Sequence, residues 1–162
     1  MEKIFNIELK IDYLKHHIEA IPELASIWYQ VLGSIWSPDT SLEKVIKRFE
    51  EHLNDQQLPL TLVAFLDYKP IGMCSLRVND GIREDLSPWL GSLVVHPEYQ
   101  RQGIAVKLID AIKQKAKLLN FKELFLFTFD PTLPEYYAKL GWIDIGIDNF
   151  QNKKVTLMKV ML

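Results

Sequence analysis

The sequence predicts one α/β domain of the α+β type, spanning residues 1–162, with a mixed and mostly antiparallel sheet. Short apolar runs of strand character alternate with segments whose apolar residues recur every three or four positions. The resulting order is β-α-α-β-β-β-α-β-α-β-β, or seven strands and four helices. No linker-like or repetitive segment interrupts this order, so the pattern indicates a single packed unit.

The N-terminal third is predicted to contain one strand and two helices. Residues 3–11 alternate and are rich in Ile and Phe, which is typical of a strand. Residues 13–32 place apolar side chains on one helical face, with an interruption expected near Pro22. Residues 38–54 predict a second helix with its N-cap around Thr40.

The rest of the chain contains the other six strands and two helices. Residues 58–78 hold two apolar runs on either side of Asp67–Pro70, which predicts a hairpin with a short turn. Residues 101–119 form the strongest helical stripe of the sequence. The remaining expectations are strands at 89–96, 121–129, 142–147 and 153–162 and a short helix at 134–142.

Composition excludes several classes of protein. Hydrophobic residues make up 48% and charged residues 25% of the chain, which argues against disorder. A net charge of -2 without a basic run argues against a nucleic-acid surface. No apolar stretch reaches the roughly 20 residues that span a bilayer, and no signal peptide is recognisable. The single cysteine, Cys74, suits a reducing compartment, so we expect a cytoplasmic protein; the histidines and this cysteine show no metal-ligand spacing.

The segment 93–105 carries the clearest chemical signal. An apolar strand ends at Pro97, a short loop follows, and a helix is expected to start at or near Arg101. A helix N-terminus presents unpaired N–H groups and a positive dipole end to an anion. Gly103 has no Cβ and Ala105 only a methyl group, so a pyrophosphate can approach the backbone closely.

The residues Gln100-Arg101-Gln102-Gly103-Ile104-Ala105 resemble the Gln/Arg-x-x-Gly-x-Gly/Ala signature of the GNAT N-acetyltransferases. The resemblance covers residues 60–142, including Tyr-Tyr-Ala-Lys-Leu-Gly-Trp at 136–142, which looks like the family's second motif. Ala105 stands where many members have glycine, a change that the family pattern admits.

This resemblance implies the GNAT fold and direct transfer of acetyl from acetyl-CoA, as cosubstrate, to a primary amine in a ternary complex. The acceptor stays open between a polyamine or aminoglycoside-like amine, an amino acid and a protein N-terminus. A non-catalytic acyl-CoA-binding regulatory module is the alternative. Relatives are often dimers, so a homodimer is possible, whereas no metal, nucleic acid or membrane is expected.

The resemblance also implies roles for individual residues. Pantetheine amides are expected to pair with main-chain groups of the strand at 89–96, and an N–H of Leu93 or Val94 could polarise the thioester. Tyr137 is expected to protonate the leaving thiolate. The expected cofactor-binding residues are Leu93, Val94, Val95, Gln100, Arg101, Gln102, Gly103, Ile104, Ala105, Asp130 and Tyr136.

The acceptor side is less sharply indicated. Glu84 and Asp85 lie in an acidic loop before the strand at 89–96, and either could bind a cationic amine or remove its proton. A solvated polar loop would look the same. Trp28, Trp36 and Trp89 could wall an acceptor cleft, although core packing explains a tryptophan equally well.

Overall fold

The computed structural model describes residues 8–162, and its seven strands form one mixed sheet in the order β1-β2-β3-β4-β5-β7-β6. The parallel pair is β4 with β5, and the neighbouring pairs are otherwise antiparallel. The predicted fold class and element order are thus confirmed. The strands are β1 Leu9–Tyr13, β2 Leu60–Leu66, β3 Lys69–Arg77, β4 Trp89–Val95, β5 Glu123–Thr128, β6 Ile143–Phe150 and β7 Lys153–Met161.

Helices cover both faces of this sheet. They are α1 Ile21–Trp28, the single turn α2 Ser34–Trp36, α3 Leu42–Phe49, α4 Ile104–Leu118 and α5 Leu133–Lys139. A π-helical turn, Tyr29–Gly33, joins α1 to α2. Because side chains alternate across a strand, Leu62 packs in one core cluster with α4, whereas Val63 packs in a second cluster with α1 and α3.

The helix starts differ from expectation in three places. Two 3₁₀ turns, Leu14–His16 and Ile18–Ala20, stand where the predicted helix should start, and α1 begins only at Ile21. Pro22 therefore lies in the first turn of α1, where its missing N–H costs nothing, and does not interrupt a longer helix. The N-cap of α3 is Ser41, whose Oγ accepts a hydrogen bond from the Lys44 N–H at 3.2 Å, rather than Thr40. Helix α4 begins at Ile104 rather than at Arg101, because Gly103 has a left-handed φ of 83° that no α-helical residue adopts.

The remaining sequence expectations agree with the structure within a few residues. Of the predicted strand at 3–11, residues 3–7 lie outside the described part of the chain. The β2–β3 hairpin turns at Asp67 and Tyr68, both with positive φ, as a two-residue turn between twisted strands requires. Within residues 8–162, no helix is long and apolar enough to cross a membrane.

Strands β4 and β5 touch at a single point. Their ladder contains one pair, Trp89 with Phe125, and the strands then separate. The opposite edge of β4 stays paired with β3, apart from a bulge between the pairs Ser75–Gly91 and Met73–Val94. Ser92 lies in this bulge with a φ of 50°. The sheet is therefore open between β4 and β5, next to an irregular stretch of β4.

We expect Ser41→Ala to lower the free energy of unfolding by about 1 kcal/mol, because α3 loses the side chain that caps its N-terminus. Urea denaturation measures this change. Thr40→Ala is the matched control and should cost less than half as much. Equal losses for the two variants would contradict Ser41 as the N-cap.

Candidate functional site

A cavity of about 390 Å³ occupies the space where β4 and β5 separate. One wall comes from α1, the π-helical turn and α2, and the other from β4, β5 and the β6–β7 turn. The lining side chains divide into an ionic group and an apolar group. The residues are Trp28, Val31, Leu32, Ile35, Trp36, Ser37, Arg48, Arg77, Asp80, Leu90, Gly91, Ser92, Leu93, Leu126, Phe127, Thr128, Phe129, Asp130, Leu133, Tyr137, Phe150 and Gln151.

Strand β4 offers its backbone to this opening. Beyond Trp89, no ladder partner from the described residues pairs with β4 on its β5 side. Leu93 lines the cavity, whereas the side chains of Val94 and Val95 are buried in the two core clusters. Leu93 and Val95 can contribute main-chain groups to an extended ligand that lies beside this edge, whereas Val94, which pairs with Met73, directs its main-chain groups towards β3.

The loop after β4 shapes the start of α4. The Gln100 amide donates to the carbonyl of Val95 at 2.9 Å, which ties the loop to the strand end. Arg101 and Gly103 both have positive φ, and no atom lies within 4 Å of a Cβ built on Gly103. The first bond inside the helix runs from the Lys107 N–H to the Gly103 carbonyl, so the N–H groups of residues 104–106 face forward without helical partners.

Arg101 and Gln102 are exposed, Ile104 is buried and Ala105 is half-buried. The loop and helix start therefore bring the predicted residues 100–105 together around free amides, exposed to solvent and open to an anion.

Tyr137 projects from α5 into the cavity lining. The residue is 7% exposed, and burial raises the pKa of its hydroxyl above the usual value, so it stays protonated at neutral pH. Tyr136 lies beside it at a ring-centroid distance of 5.4 Å but is 37% exposed and does not line the cavity. Asp130 lines the cavity mouth, where its carboxylate accepts hydrogen bonds from the Thr132 N–H and hydroxyl; these bonds lower the pKa of Asp130.

A polar network that the sequence did not predict centres on Arg77, the last residue of β3. Its guanidinium donates from Nε to His52 Nε2 at 2.9 Å, from Nη1 to Asp80 at 2.8 Å and from Nη2 to the Ser92 hydroxyl at 2.7 Å. The network thus connects the segment after α3, the segment after β3 and the β4 bulge. It lies at the cavity wall, where Arg77, Asp80 and Ser92 are lining residues.

Gly91 explains how this ion pair fits against β4. A Cβ at position 91 would lie 2.5 Å from Arg77 Nη1 and 3.0 Å from Asp80 Oδ1, so only glycine leaves room for the two side chains. Burial raises the pKa of Asp80, while the charge of Arg77 and its hydrogen bond act in the opposite direction. The carboxylate lies next to the strand backbone, and Arg77 holds one of its oxygens, Oδ1.

His52 has a fixed tautomer in this network. Its Nε2 accepts from Arg77 Nε, so the proton of the neutral ring lies on Nδ1, which donates to the Arg48 carbonyl at 2.9 Å. Burial, followed by the charge of Arg77, lowers the pKa of His52 to about 4. The imidazole is therefore neutral at physiological pH and holds Arg77 in place.

The two acidic residues predicted for the acceptor side lie elsewhere. Glu84 and Asp85 are exposed and do not line the cavity, and Asp85 forms two hydrogen bonds with Arg83, at 2.9 and 2.8 Å. Their catalytic role stays a prediction, whereas Asp80, four residues earlier than Glu84, is the carboxylate beside β4. Of the three tryptophans, Trp28 and Trp36 line the cavity; Trp89 is fully buried and donates to the Leu86 carbonyl.

Comparison with known proteins gives one family match. The sequence model of the "Acetyltransferase (GNAT) family" matches residues 21–142. Among curated protein sequences, none is significantly similar to this chain.

Solved structures share the fold at low sequence identity. An acetyltransferase of the GNAT family from Streptococcus pneumoniae has a TM-score of 0.71 and 19% identity, over 96% of this chain and 99% of that one. A spermidine N-acetyltransferase SpeG chimera from Vibrio cholerae and hSSAT has a TM-score of 0.74 and 18% identity, over 94% and 95%. An aminoglycoside 6'-N-acetyltransferase complexed with coenzyme A has a TM-score of 0.72 and 17% identity, over 94% and 96%.

The depressed pKa of His52 predicts an acid-sensitive fold. An unfolded histidine binds a proton below about pH 6.5, whereas folded His52 resists protonation down to about pH 4. The unfolded state therefore binds more protons in this window, and lowering the pH from 6.5 to 4 should remove about 3 kcal/mol of unfolding free energy.

Urea unfolding at a series of pH values measures this loss. His52→Gln keeps a side-chain acceptor for Arg77 but cannot titrate, so its stability should fall less steeply with acidification. His96→Gln, in the loop after β4, is the matched control and should follow the parent protein. Parallel curves for the parent and His52→Gln would contradict the assignment.

Proposed function

The chain belongs to the acetyltransferase (GNAT) family, and from this premise we propose that it transfers acetyl from acetyl-CoA to a primary amine by direct attack in a ternary complex. The observation that carries the proposal is the opening between β4 and β5, which has the free helix start of α4 on one side and the ionic network of Arg77 on the other. A linear cofactor and an amine acceptor could meet at the Ser92 bulge from these two directions.

The start of α4 suits the pyrophosphate of the cofactor. Free N–H groups at residues 104–106, the positive end of a 15-residue helix and the exposed Arg101 all favour a doubly charged anion. Gly103 supports this role in two ways. Its left-handed φ directs the amides outward, and its missing Cβ leaves the approach open.

The free edge of β4 suits the pantetheine arm. The arm has two amide groups, and main-chain groups of Leu93 and Val95 could pair with them as a neighbouring strand would. The acetyl group would then lie near the bulge, where the N–H of Leu93 is proposed to polarise its carbonyl, because the N–H of Val94 faces β3. Asp130 and Tyr136 are proposed to contact the cofactor from the β5 side.

The reaction forms one bond and breaks one. The neutral amine nitrogen attacks the thioester carbonyl carbon, a C–N bond forms, and the C–S bond breaks with its electron pair leaving on sulfur. The nitrogen releases one proton to a base, the thiolate takes up another from the Tyr137 hydroxyl, and the Tyr137 phenolate regains a proton from solvent. No cysteine lines the cavity, and Cys74 is fully buried, which favours direct attack over an acyl-enzyme.

Burial keeps the Tyr137 hydroxyl protonated, so it can donate a hydrogen bond to sulfur, but burial also makes it a weaker acid. Because its pKa is raised by burial, proton transfer to a thiolate of ordinary pKa is uphill at rest. Charge developing on sulfur beside the hydroxyl offsets part of this cost. Tyr137 is thus proposed to hold the thiolate by a hydrogen bond and to complete the transfer as the product leaves.

The amine must lose its proton before attack, and a carboxylate suits this step. Asp80 lines the cavity, so it is better placed than Glu84 or Asp85 to receive the proton. Glu84 and Asp85, which are exposed beside the site, are proposed to attract a cationic group from solvent.

A thiol-release assay with acetyl-CoA and a panel of amines and N-terminal peptides tests the proposed activity. We expect acceptor-dependent release of coenzyme A together with calorimetric binding of acetyl-CoA. Binding without release for every acceptor would favour the non-catalytic module. Absence of acetyl-CoA binding would overturn both functions.

Gly103→Val should weaken acetyl-CoA binding by at least about tenfold, because a branched side chain at this left-handed position blocks the approach of the pyrophosphate to the amides. Calorimetry on the folded variant measures the affinity. Gly146→Val is the control, since Gly146 also has a positive φ and open space but lies on strand β6. Unchanged affinity in Gly103→Val, or equal loss in both variants, would remove this role.

Tyr137→Phe should lower kcat by about 10²–10⁴-fold, the usual contribution of a general acid, while acetyl-CoA affinity changes by less than about tenfold. The ring is kept and only the hydroxyl is lost. Single-turnover measurement of acyl transfer checks this effect. Tyr136→Phe, which removes a hydroxyl outside the cavity, should do much less. An undiminished rate for Tyr137→Phe would mean that water or another group supplies the proton.

A further inference from the structure

The ionic and aromatic groups of the cavity define a substrate class, an inference that rests on the proposed acetyl transfer. We propose that the acceptor is a free α-amino acid with a large apolar side chain. Its ammonium binds Asp80, its carboxylate binds Arg48, and its side chain lies against the aromatic wall formed by Trp36, Phe127, Phe129 and Phe150.

Asp80 provides the amine end of this site. Arg77 holds Oδ1, and within residues 8–162 no hydrogen bond engages Oδ2. A Cβ at Gly91 would lie 3.1 Å from Oδ2, which places this oxygen against the β4 backbone, one residue before the Ser92 bulge. An ammonium bound there is next to the point where the acetyl group is proposed to lie, and its proton has an adjacent acceptor.

Arg48 provides the carboxylate end. Its guanidinium carbon lies 4.5 Å from the centroid of the Trp28 ring, which holds the cation over the cavity wall. No carboxylate of the described residues forms an ion pair with Arg48, in contrast to Arg77, which pairs with Asp80. Burial by the surrounding protein and the charge of Arg77 lower the pKa of Arg48 more than the charges of Asp80 and Glu51 raise it.

The charge inventory argues against a polycationic acceptor. Among the cavity-lining residues at this end, two arginines face one carboxylate, which Arg77 already neutralises, and Glu51, which does not line the cavity, is the other carboxylate whose charge acts on Arg48. A polyamine would bring several further positive charges close to Arg48 and Arg77, where each repulsion is costly. A zwitterion instead adds one charge of each sign, and its carboxylate balances the excess cation.

The aromatic wall selects an apolar side chain. Trp36 lies at ring-centroid distances of 5.9 Å from Phe127, 5.9 Å from Phe129 and 5.2 Å from Phe150. These rings remain partly or largely exposed, although they line a concave site. An apolar group placed against them removes aromatic surface from water on both partners.

Thiol-release kinetics with a graded set of acceptors tests the proposal. The set contains L-phenylalanine, L-phenylalaninamide, phenethylamine, glycine, spermidine and kanamycin. We expect kcat/KM for L-phenylalanine to exceed that of the amide and of phenethylamine by about 10- to 100-fold, the usual size of a lost charge-assisted contact. The amide has the less basic amine and would react faster if amine chemistry alone decided the rate.

Arg48→Gln provides the test in the protein, with Lys47→Gln on the same helix as a matched control of equal charge change. The first variant should raise KM for L-phenylalanine by about 10- to 100-fold, leave KM for the amide within threefold and leave acetyl-CoA affinity unchanged. The control should leave all three values unchanged. A merely structural role of Arg48 would affect both acceptors alike.

Three results would overturn the proposal. Preference for spermidine or kanamycin, or equal turnover of L-phenylalanine and its amide, would leave acetyl transfer standing but reject a carboxylate-bearing acceptor. Preference for glycine would reject the apolar side chain. Release of coenzyme A with none of these six acceptors, while another amine or peptide of the wider panel supports release, would reject the substrate class alone, and absence of release across the whole panel would reject both the substrate class and the proposed activity.

Discussion

The separation of β4 and β5 after one ladder pair is the constraint on which the site depends. Two neighbouring parallel strands would normally stay paired along their length, and here only Trp89 and Phe125 do so. The fully buried Trp89, held by its bond to Leu86, fixes the point of divergence. Everything proposed for the cofactor and the acceptor uses the backbone edge and the space that this divergence creates.

The sequence predicted the helices and strands well, because buried apolar residues recur along the chain at the spacing of a helix or of a strand. The α4 stripe at Ile104, Leu108 and Ile112 is buried as its spacing predicted. Helix starts were less accurate, because the choice between Thr40 and Ser41 depends on which hydroxyl reaches a free N–H. The motif at residues 100–105 is local in the sequence, so it was enough to predict that these residues surround the unpaired N–H groups at the start of α4.

The network around Arg77 could not be predicted from the sequence, because its members are brought together only by tertiary structure. His52 lies 25 residues before Arg77, and Ser92 lies 15 after it. Their spacing follows no period of a helix or strand. One signal was available, an arginine and an aspartate three apart at a strand end, but such pairs are common on surfaces. The same guanidinium bonds support both folding and the shape of the proposed acceptor site.

The π-helical turn Tyr29–Gly33 has a rotational consequence for the cavity wall. Eight residues of a regular α-helix turn through about 800°, which would leave Trp36 about 80° away from Trp28 around the axis. A π turn winds more slowly, because its hydrogen bonds span five residues instead of four, so the eight residues come closer to two full rotations. Both indole rings consequently face the same space. Gly33 permits the slower winding of this π turn, since a Cβ at position 33 would lie 2.6 Å from the Tyr29 ring.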